Sequence, residues 1–488
     1  MLSRPHIILL PTKNKLEITK PELILIFMLS ESPASDLPVY SNLGAYIKEI
    51  EKLPVVRKEG RVMQVIGHMV EATNPGCSVG GMCQIYNPAT ESSVAAEVVG
   101  FRKDRMLVMP LHNAHGIGPK CRVVPEDRPA MVPVGEGLLG RVLDPLMRPM
   151  DGLGELLAST EVPLYQEVVN PMKRQRIKKP LDVGVRSINS CLTCGRGQRI
   201  GIMAGSGVGK SVLLGMMARY TDADINVISL VGERGKEVRE FIEDNLGEEG
   251  MRRSVVIVAT SDQPPLLRMR GAYIATSIAE HFRNEGKDVL LSMDSLTRFA
   301  MAQREIGLAA GEPPTTKGYP PSVFALLPSL LERTGTHDGP GSITGFYTVL
   351  VEGDDASDPI ADAIRAIVDG HIYLSREIAE KGTYPAIDLL SSTSRVMVDV
   401  VDEKHLKLNQ IMRSTLATYR EAEDLINIGA YVQGSNPEID YAITKKPLIQ
   451  EFVQQGMSEH TALMECEERL QQIFGDKLEA NTPEEDTA

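Results

Sequence analysis

Apolar residues recur along this chain in three successive patterns, and each pattern predicts a different kind of secondary structure. From Val55 to about Pro125, short β-prone pieces such as RVMQVIGHMV, SSVAAEVVGF and RMLVMPL are separated by turn-rich segments. From 184 to 395, apolar strands alternate with amphipathic helical segments. Further on, apolar residues fall at three- and four-residue spacings, as from Leu408 to Ile426. These patterns predict a small β-barrel or sandwich, a mostly parallel α/β sheet and a helical C-terminal part.

Shifts in composition mark the domain boundaries. The Pro- and Gly-rich stretch VPVGEGLLGRVLDPLMRPMDG, at 132–152, indicates a connection between domains. The last residues, DKLEANTPEEDTA, are polar and acidic, which is typical of a disordered tail. The predicted segments are a partly disordered N-terminal extension, the β-rich domain, the α/β domain, the helical domain and the disordered tail, at residues 1–53, 54–126, 127–395, 396–475 and 476–488.

The N-terminal extension carries two apolar runs, at 7–10 and 23–29, which are both far too short to cross a bilayer. Glu22, at the edge of the second run, opposes reading that run as a signal peptide. We interpret the residues before Met28 as an upstream extension without a fold, and we expect synthesis to start at Met28.

Length, charge and cysteine content narrow the class of protein. A chain of 488 residues exceeds the size at which one hydrophobic core keeps growing, so two or three domains are expected. The formal charge of -13 and the lack of Trp argue against a nucleic-acid partner, which needs a basic face. Six scattered cysteines suit a reducing cytoplasm. Cys191 and Cys194 form a single CxxC, and no second pair or nearby histidine completes a zinc site.

One glycine-rich segment carries the clearest chemistry of the chain. AGSGVGKS, at 204–211, follows the apolar run IGIM and leads into the helix-forming VLLGMMARY. A loop between strand and helix turns its backbone N–H groups, and the positive end of the helix dipole, toward a phosphate. Lys210 is placed to reach the β- and γ-phosphates, and Ser211 to bind Mg²⁺. Ala204 stands where the usual GxxxxGK[ST] pattern has its first glycine, a minor departure.

Two acidic residues follow predicted strands and are expected at the carboxyl edge of the sheet, where open α/β folds bind ligands. Asp294 ends DVLLSMD, where it can hold Mg²⁺ or simply cap the next helix. Glu233 follows INVISLVG, where it can act as a general base or form an ordinary salt bridge. Arg395, in SSTSRVM, follows the last sheet-like segment and by itself is typical of a surface arginine.

Four segments together resemble the flagellar protein export ATPase family, which is related to virulence type III secretion ATPases and to the catalytic subunit of rotary ATP synthases. They are GQRIGIMAGSGVGKSVLLGMMARYT, VGERGKEVREFIE, the run from DVLLSMD to LLERTG, and the run from GSITGFYTVLV to IYLSR. The likeness covers nearly all of the chain from Val55 to Phe474. It implies a small N-terminal β-barrel, a central RecA-like P-loop ATPase domain and a C-terminal helical domain.

The resemblance also implies roles for individual residues. The implied catalytic residues are Lys210, Glu233, Arg234 and Arg395; the implied nucleotide-binding residues are Gly205, Ser206, Gly207, Val208, Gly209, Lys210, Ser211, Val212, Arg283 and Tyr384; and the implied Mg²⁺ ligands are Ser211 and Asp294. Arg395 matches an arginine finger offered to the adjoining subunit's nucleotide, and Tyr384 matches an aromatic that packs on the adenine. Arg234 and Arg283 match arginines near the γ-phosphate.

A self-completing ring follows from the pairing of two of these residues in one chain. In the rotary synthase, the catalytic glutamate and the finger come from different kinds of subunit, whereas this chain carries both Glu233 and Arg395. The resemblance therefore implies a homohexamer that hydrolyses ATP with Mg²⁺. It also implies a central stalk protein at QREIGLAAGEPPTTKGYPPS, a regulatory stator at the N-terminal region, and chaperones, export substrates and a membrane export gate at the C-terminal helices. The expected location is the cytoplasm, peripherally at the inner face of the cell membrane.

Three alternatives stay open on the sequence alone. An ATPase of a virulence-type injectisome shares every catalytic motif, and neighbouring flagellar or injectisome genes would separate the two. A non-hydrolysing structural subunit of a rotary ring is opposed by Glu233, which such subunits usually lack. A nucleic-acid translocase is opposed by the acidic composition and by the missing aromatic platform.

Overall fold

The first β-rich pieces close into a six-stranded antiparallel barrel. The computed structural model describes residues 58–351 and 358–480, and its barrel strands are β1 (Gly60–Ile66), β2 (Met69–Thr73), β3 (Gly81–Asn87), β4 (Ser92–Arg102), β5 (Arg105–Pro110) and β6 (Arg122–Pro129). They pair in the order β1-β2-β5-β4-β3-β6, and β6 pairs back to β1. Apolar side chains such as Val62, Ile85 and Val108 fill the interior. A barrel, and not a sandwich, therefore forms. The extension predicted at 1–53, with its start at Met28, lies outside the described residues.

The middle of the chain builds a nine-stranded sheet. The further strands are β7 (Met131–Val134), β8 (Val142–Leu143), β9 (Thr160–Pro163), β10 (Pro180–Leu181), β11 (Cys194–Gly195), β12 (Arg199–Ala204), β13 (Ile225–Val231), β14 (Ser254–Ala259), β15 (Asp288–Asp294), β16 (Gly335–Thr336), β17 (Ser342–Leu350), β18 (Gly370–Leu374) and β19 (Thr393–Ser394). The sheet order is β19-β18-β12-β17-β15-β13-β14-β8, and β16 pairs with β17. Its pairs from β18 to β8 are parallel. The strands are almost wholly apolar because helices and loops cover both faces.

Helices alternate with these strands and then form the C-terminal part. The helices are α1 (Arg186–Cys191), α2 (Lys210–Tyr220), α3 (Gly235–Glu240), α4 (Gly247–Arg252), α5 (Pro265–Asn284), α6 (Leu296–Ala310), α7 (Pro321–Leu331), α8 (Pro359–Ile367), α9 (Arg376–Glu380), α10 (Met397–Val400), α11 (Glu403–Asn427), α12 (Pro437–Val453) and α13 (Leu463–Ala480). A π-helical turn, Phe241–Leu246, joins α3 to α4. The described helices include none that is both long and apolar enough to span a bilayer.

The Pro- and Gly-rich stretch at 132–152, which the sequence predicts to connect two domains, also contributes a strand to the central sheet. Val142 and Leu143 form the edge strand of the central sheet beside β14. Arg141 donates from Nε to Asp151 Oδ2 at 2.8 Å, and both side chains are about nine-tenths buried. Asp151 also accepts the backbone N–H of Val142. The prolines and glycines therefore shape a packed turn that the buried ion pair closes, and the pairing of Val142 and Leu143 with β14 holds this turn against the sheet.

The C-terminal helices pack through the apolar face that the spacing predicts. Leu408 and Met412 of α11 are fully buried in the same core as the phosphate-loop helix. The prediction of a disordered tail from Asp476 is wrong for the first five residues of that tail, because α13 continues to Ala480. Asp476 accepts a hydrogen bond from the Tyr441 hydroxyl and lies 3.0 Å from Lys445 Nζ of α12, which anchors this last turn. Residues 481–488 lie outside the described part.

A buried ion pair joins the barrel to the α/β core. Arg270, on α5, donates from Nη1 to Glu97 Oε2 of β4 at 2.7 Å, and both side chains are almost fully buried. The Tyr165 hydroxyl donates to the other oxygen of Glu97 at 2.5 Å. A buried carboxylate with two such donors is fully satisfied, so the barrel is docked on the core through a specific polar contact.

Replacing Glu97 with Ala should destabilise this junction strongly. The change leaves the Arg270 guanidinium buried without a carboxylate, a defect that costs about 3–5 kcal/mol. The measurement is the thermal and urea unfolding midpoint at fixed protein concentration. The matched control is Glu243→Ala, which removes an exposed partner of Arg239 and should shift the midpoint little. Equal midpoints for the two variants would contradict the assignment of a stabilising junction.

Candidate active site

The phosphate loop stands between β12 and α2, as the glycine-rich segment predicts. β12 is central in the sheet, and the loop begins where this strand ends at the carboxyl edge. Gly207 and Gly209 adopt φ values of 80° and 92°, a conformation that glycine alone adopts without strain. Val208 is buried between them and anchors the loop in the core. The backbone N–H groups of the loop and the first turn of α2 thus face the open side of the sheet edge.

Three charged side chains from different strand ends meet beside this loop. Lys210 Nζ lies 2.5 Å from Asp294 Oδ1 and 3.5 Å from Glu233 Oε1. The strand order β12-β17-β15-β13 explains this meeting, because Asp294 ends β15 and Glu233 follows β13. Thr348, on β17 between β12 and β15, donates from its hydroxyl to Asp294 Oδ1 at 2.7 Å. The predicted Lys210, Asp294 and Glu233 therefore form one cluster.

These charges shift one another's ionisation. Burial lowers the pKa of Lys210, but the carboxylates of Asp294 and Glu233 outweigh burial and raise the pKa above its ordinary value. Burial raises the pKa of Glu233, the Asp294 carboxylate adds to the rise, and Lys210 opposes it, which leaves this pKa at about 7. Lys210 is therefore cationic, whereas Glu233 changes its charge near neutral pH, which suits a general base.

The pH dependence of turnover should report this ionisation. A general base must be ionised, so kcat/KM for ATP is expected to fall about tenfold per pH unit below the Glu233 pKa of about 7, and to level off above it. Initial rates across the neutral range measure the profile. Glu237 also raises the pKa of Glu233, so Glu237→Gln should move the midpoint to lower pH. A profile that stays flat into the ordinary range of glutamate would refute this assignment.

The oxygen donors of the site fit a magnesium ion that arrives with a nucleotide. Ser211, in the first turn of α2, and Asp294 offer a hydroxyl and a carboxylate, the ligand types that Mg²⁺ prefers. Within 58–351 and 358–480, no group of three or more His, Cys, Asp or Glu residues could hold a metal alone. Mg²⁺ bound by one or two side chains normally completes its shell with waters and phosphates.

A cavity of about 500 Å³ opens beside the loop and has the size of a small-ligand pocket. Tyr384 borders it, and a Cβ built on Gly209 would lie 3.5 Å from the Tyr384 ring. The far wall comes from the segment after α12, which the sequence analysis did not identify. The residues that line the whole cavity include Gly207, Val212, Met216, Pro385, Gln454, Gln455, Gly456 and Met457. The backbone N–H of Gln455 donates to the Tyr384 carbonyl at 2.8 Å, which joins the two walls.

Arg395 lies near the amino edge of the sheet, whereas the phosphate loop lies at its carboxyl edge. β19 ends at Ser394, which pairs with Gly370 of β18, and Gly370 stands opposite Ile200 of β12. The loop begins only after Ala204, about 13 Å further along β12 at a rise of roughly 3.3 Å per residue. The Arg395 side chain is exposed. It therefore does not reach its own chain's phosphate loop.

The expectation that Arg283 lies near the γ-phosphate is wrong. Arg283 is buried near the end of α5, just before β15 begins, whereas Asp294 ends that strand. Its Nη1 donates to the Arg333 carbonyl at 3.2 Å. The physical reason is directional: a helix that precedes a parallel strand runs back across the sheet, so its C-terminal end returns to the amino edge.

The second predicted arginine, Arg234, is next to Glu233 but does not join the cluster. Its side chain is 81% exposed, and its Nη1 lies 3.5 Å from Glu237 Oε1. Its role near the γ-phosphate stays a prediction.

Arg298, which the sequence analysis did not identify, packs against the residue that precedes Glu233. It occupies the first turn of α6, and its stem packs on Gly232, because a Cβ built there would lie 2.9 Å from the Arg298 Cβ. Its buried Nε has no hydrogen-bond partner among the described residues. The available signal was an arginine one helical turn after the strand-terminal Asp294. A buried guanidinium Nε–H without a partner in the described part of the chain, on a stem that packs against the residue before Glu233, is available to donate to an anion.

Comparison with known proteins gives a consistent result for all three parts of the chain. The ATP synthase alpha/beta family models match the β-barrel domain at 62–126 and the nucleotide-binding domain at 184–394, and the T3SS EscN ATPase C-terminal domain matches 401–472.

Two similar relatives are flagellum-specific ATP synthases. The Pseudomonas aeruginosa protein is 52% identical over 86% of this chain and 94% of its own length, and the Bacillus subtilis protein is 53% identical over 88% and 98%. The assembled ATPase EscN of the enteropathogenic E. coli type III secretion system is 44% identical, with a TM-score of 0.81 over 85% of this chain and 99% of that one. A second structure, of assembled EscN in complex with its central stalk EscO, is 43% identical, with a TM-score of 0.78 over the same shares.

Proposed function

This chain belongs to the ATP synthase α/β family, among the flagellar and type III secretion ATPases, and from that premise we propose that it hydrolyses ATP with Mg²⁺ at the interfaces of a homohexameric ring. The process that this ring serves is export of flagellar proteins through the type III apparatus. The single observation that carries the proposal is the cluster of Lys210, Asp294 and Glu233 beside the phosphate loop.

Within one chain, each member of the cluster has a separate task. Lys210 gives up its contact with Asp294 and binds the β- and γ-phosphates, where its charge offsets charge that develops during transfer. Glu233, with its pKa near neutrality, orients the attacking water and accepts its proton. Arg298, whose Nε is unsatisfied, donates to the γ-phosphate side of the same site. Tyr384 packs on the adenine in the adjoining cavity.

Ser211 and Asp294 would hold Mg²⁺ together with the nucleotide. When bound, the ion neutralises phosphate charge and fixes the geometry of the β- and γ-phosphates. The Thr348 hydroxyl keeps Asp294 aimed at this position through its 2.7 Å hydrogen bond.

The ring is proposed because the site of a single chain is incomplete. Arg395 is exposed at the edge of the sheet opposite its own loop, so it is available to a neighbouring subunit. EscN, a similar protein, was solved as an assembled ATPase. An arginine finger in trans would make ATP turnover depend on assembly.

We propose the partners on the same basis. EscN was solved with a central stalk, EscO, and we place an equivalent stalk protein against the loop between α6 and α7, at 311–320. The stator, chaperones, export substrates and export gate rest on the family resemblance. So does a cytoplasmic location at the inner face of the membrane.

The proposal is tested by ATPase activity measured against protein concentration, with the mass of the particle followed in parallel. Activity per chain should rise cooperatively as the hexamer forms, because each finger acts on the neighbour's nucleotide. Activity proportional to concentration for a monomer would overturn the shared site. No activity at any concentration would indicate a structural subunit or a missing partner.

An injectisome ATPase is the second candidate function, because assembled EscN matches with a TM-score of 0.81. The flagellar assignment is preferred because the two flagellar relatives share 52% and 53% identity with this chain, against 48% for a type 3 secretion system ATPase of Xanthomonas euvesicatoria.

A further inference from the structure

The backbone that carries Arg395 is held by several hydrogen bonds, although the Arg395 side chain is exposed. The Arg395 N–H donates to the Asp369 carbonyl at 2.9 Å. The hydroxyl of Ser394 donates to the Thr193 carbonyl, also at 2.9 Å. A Cβ built on Gly370 would lie 2.6 Å from the Thr393 carbonyl oxygen, so a glycine is required for β19 to approach β18 this closely.

One fully buried side chain holds two of these groups at once. Gln198 Nε2 donates to Ser394 Oγ at 3.0 Å and to the Asp369 carbonyl at 3.3 Å. Its Oε1 accepts the backbone N–H of Gly195 at 2.9 Å, which fixes the orientation of the carboxamide. Gln198 therefore contacts the residue just before Arg395 and the carbonyl that accepts the Arg395 N–H.

We infer that Gln198 is a positioning residue for Arg395, an inference that rests on the proposed role of Arg395 as the finger for the neighbouring subunit. A group that acts across an interface needs accurate placement, and placement is most accurate when a rigid element supports it. β19 is only two residues long and pairs with β18 alone. Gln198 directly precedes β12, a central strand, and so fastens the finger segment to the middle of the sheet.

The competing interpretation is that Gln198 only satisfies buried backbone groups. On that interpretation, replacing Gln198 lowers stability and affects turnover independently of Arg395. On ours, the effect on turnover acts through Arg395 and disappears once Arg395 is absent. A double-mutant cycle distinguishes the two.

The experiment measures kcat and KM for ATP on the full-length, assembled ring for Gln198→Met, Arg395→Ala and the double variant. Gln198→Met should lower kcat by about 10- to 100-fold, the scale of a 1 Å misplacement, with KM unchanged. The double variant should turn over no more slowly than Arg395→Ala alone. Independent, multiplicative losses would overturn the inference.

Two further variants keep the test decisive. Ser394→Ala removes the hydroxyl that Gln198 holds, at little cost in volume, and should also have no added effect in the Arg395→Ala background. Asn226→Leu is the matched control, because Asn226 is an equally buried amide that donates to Ala218 and Ser254 instead. Asn226→Leu should lower turnover by the same factor in the natural chain and in the Arg395→Ala background. A measurable fall in that background also shows that the assay resolves rates slower than that of Arg395→Ala.

The outcomes separate this inference from the proposed function. Unchanged turnover in Arg395→Ala would overturn the finger itself and the inference with it. Slow turnover in Arg395→Ala, combined with a full additional loss from Gln198→Met or Ser394→Ala, would overturn the positioning role and leave the finger intact.

Discussion

Replacing Arg395 with Ala is expected to lower ATP turnover of the ring by about 10³- to 10⁵-fold, the range measured for arginine fingers in related chemistry. Nucleotide binding should be unchanged, because a finger stabilises charge that develops during transfer, and because Arg395 lies at the sheet edge opposite its own phosphate loop. Steady-state hydrolysis and equilibrium binding of a fluorescent nucleotide measure the two effects separately. Arg395→Lys should recover little, since an ammonium group lacks the planar fork of the guanidinium. Normal turnover in Arg395→Ala would refute the finger.

Replacing Glu233 with Gln should remove hydrolysis almost completely, by about 10² to 10⁴-fold, which is the contribution of a positioned general base. The amide keeps the size of the side chain and loses its basicity, so nucleotide binding should persist. Glu237→Gln is the matched control, because Glu237 is an exposed carboxylate four residues after Glu233. This substitution should change turnover little at pH values above 7. Turnover in Glu233→Gln close to that of the natural chain would mean that another group activates the water.

Mixing the two inactive variants gives a test that neither provides alone. In a mixed ring, some interfaces combine an intact Glu233 from an Arg395→Ala subunit with an intact Arg395 from a Glu233→Gln neighbour. Activity should therefore reappear on mixing if the site is shared between subunits. A mixture as inactive as its components, in rings shown to exchange subunits, would place both residues in the same chain's site.

Site residues that lie close together along the chain were predictable from the sequence. The phosphate loop, its strand and its helix lie within one stretch of the chain, so local glycine spacing and apolar runs identify Lys210 and Ser211 directly. The strand-terminal positions of Glu233 and Asp294 were also predictable, because parallel strands end at a common edge. Their distances of 3.5 Å and 2.5 Å from Lys210 confirm that expectation.

Errors arose where chain direction or long-range packing decides the outcome. Arg283 precedes a site strand in sequence, yet the helix that carries it returns to the far edge of the sheet. The last turn of α13 forms because Tyr441 and Lys445 hold Asp476. The composition of a segment does not reveal which distant residues it will contact.

The sequence by itself therefore determined the three-part architecture, the phosphate loop and the strand-end positions of Glu233 and Asp294, because each depends on local spacing and on the period of apolar residues. Only the tertiary structure decided which residues share a site. It placed the Arg298 stem against the residue before Glu233, brought Thr348 to the cluster, joined Gln455 to Tyr384 at the cavity beside the loop, and separated Arg395 from its own loop. The physical reason is that strand order and helix direction arise from burial of the whole sheet, and residues distant in sequence become neighbours only when that burial is complete.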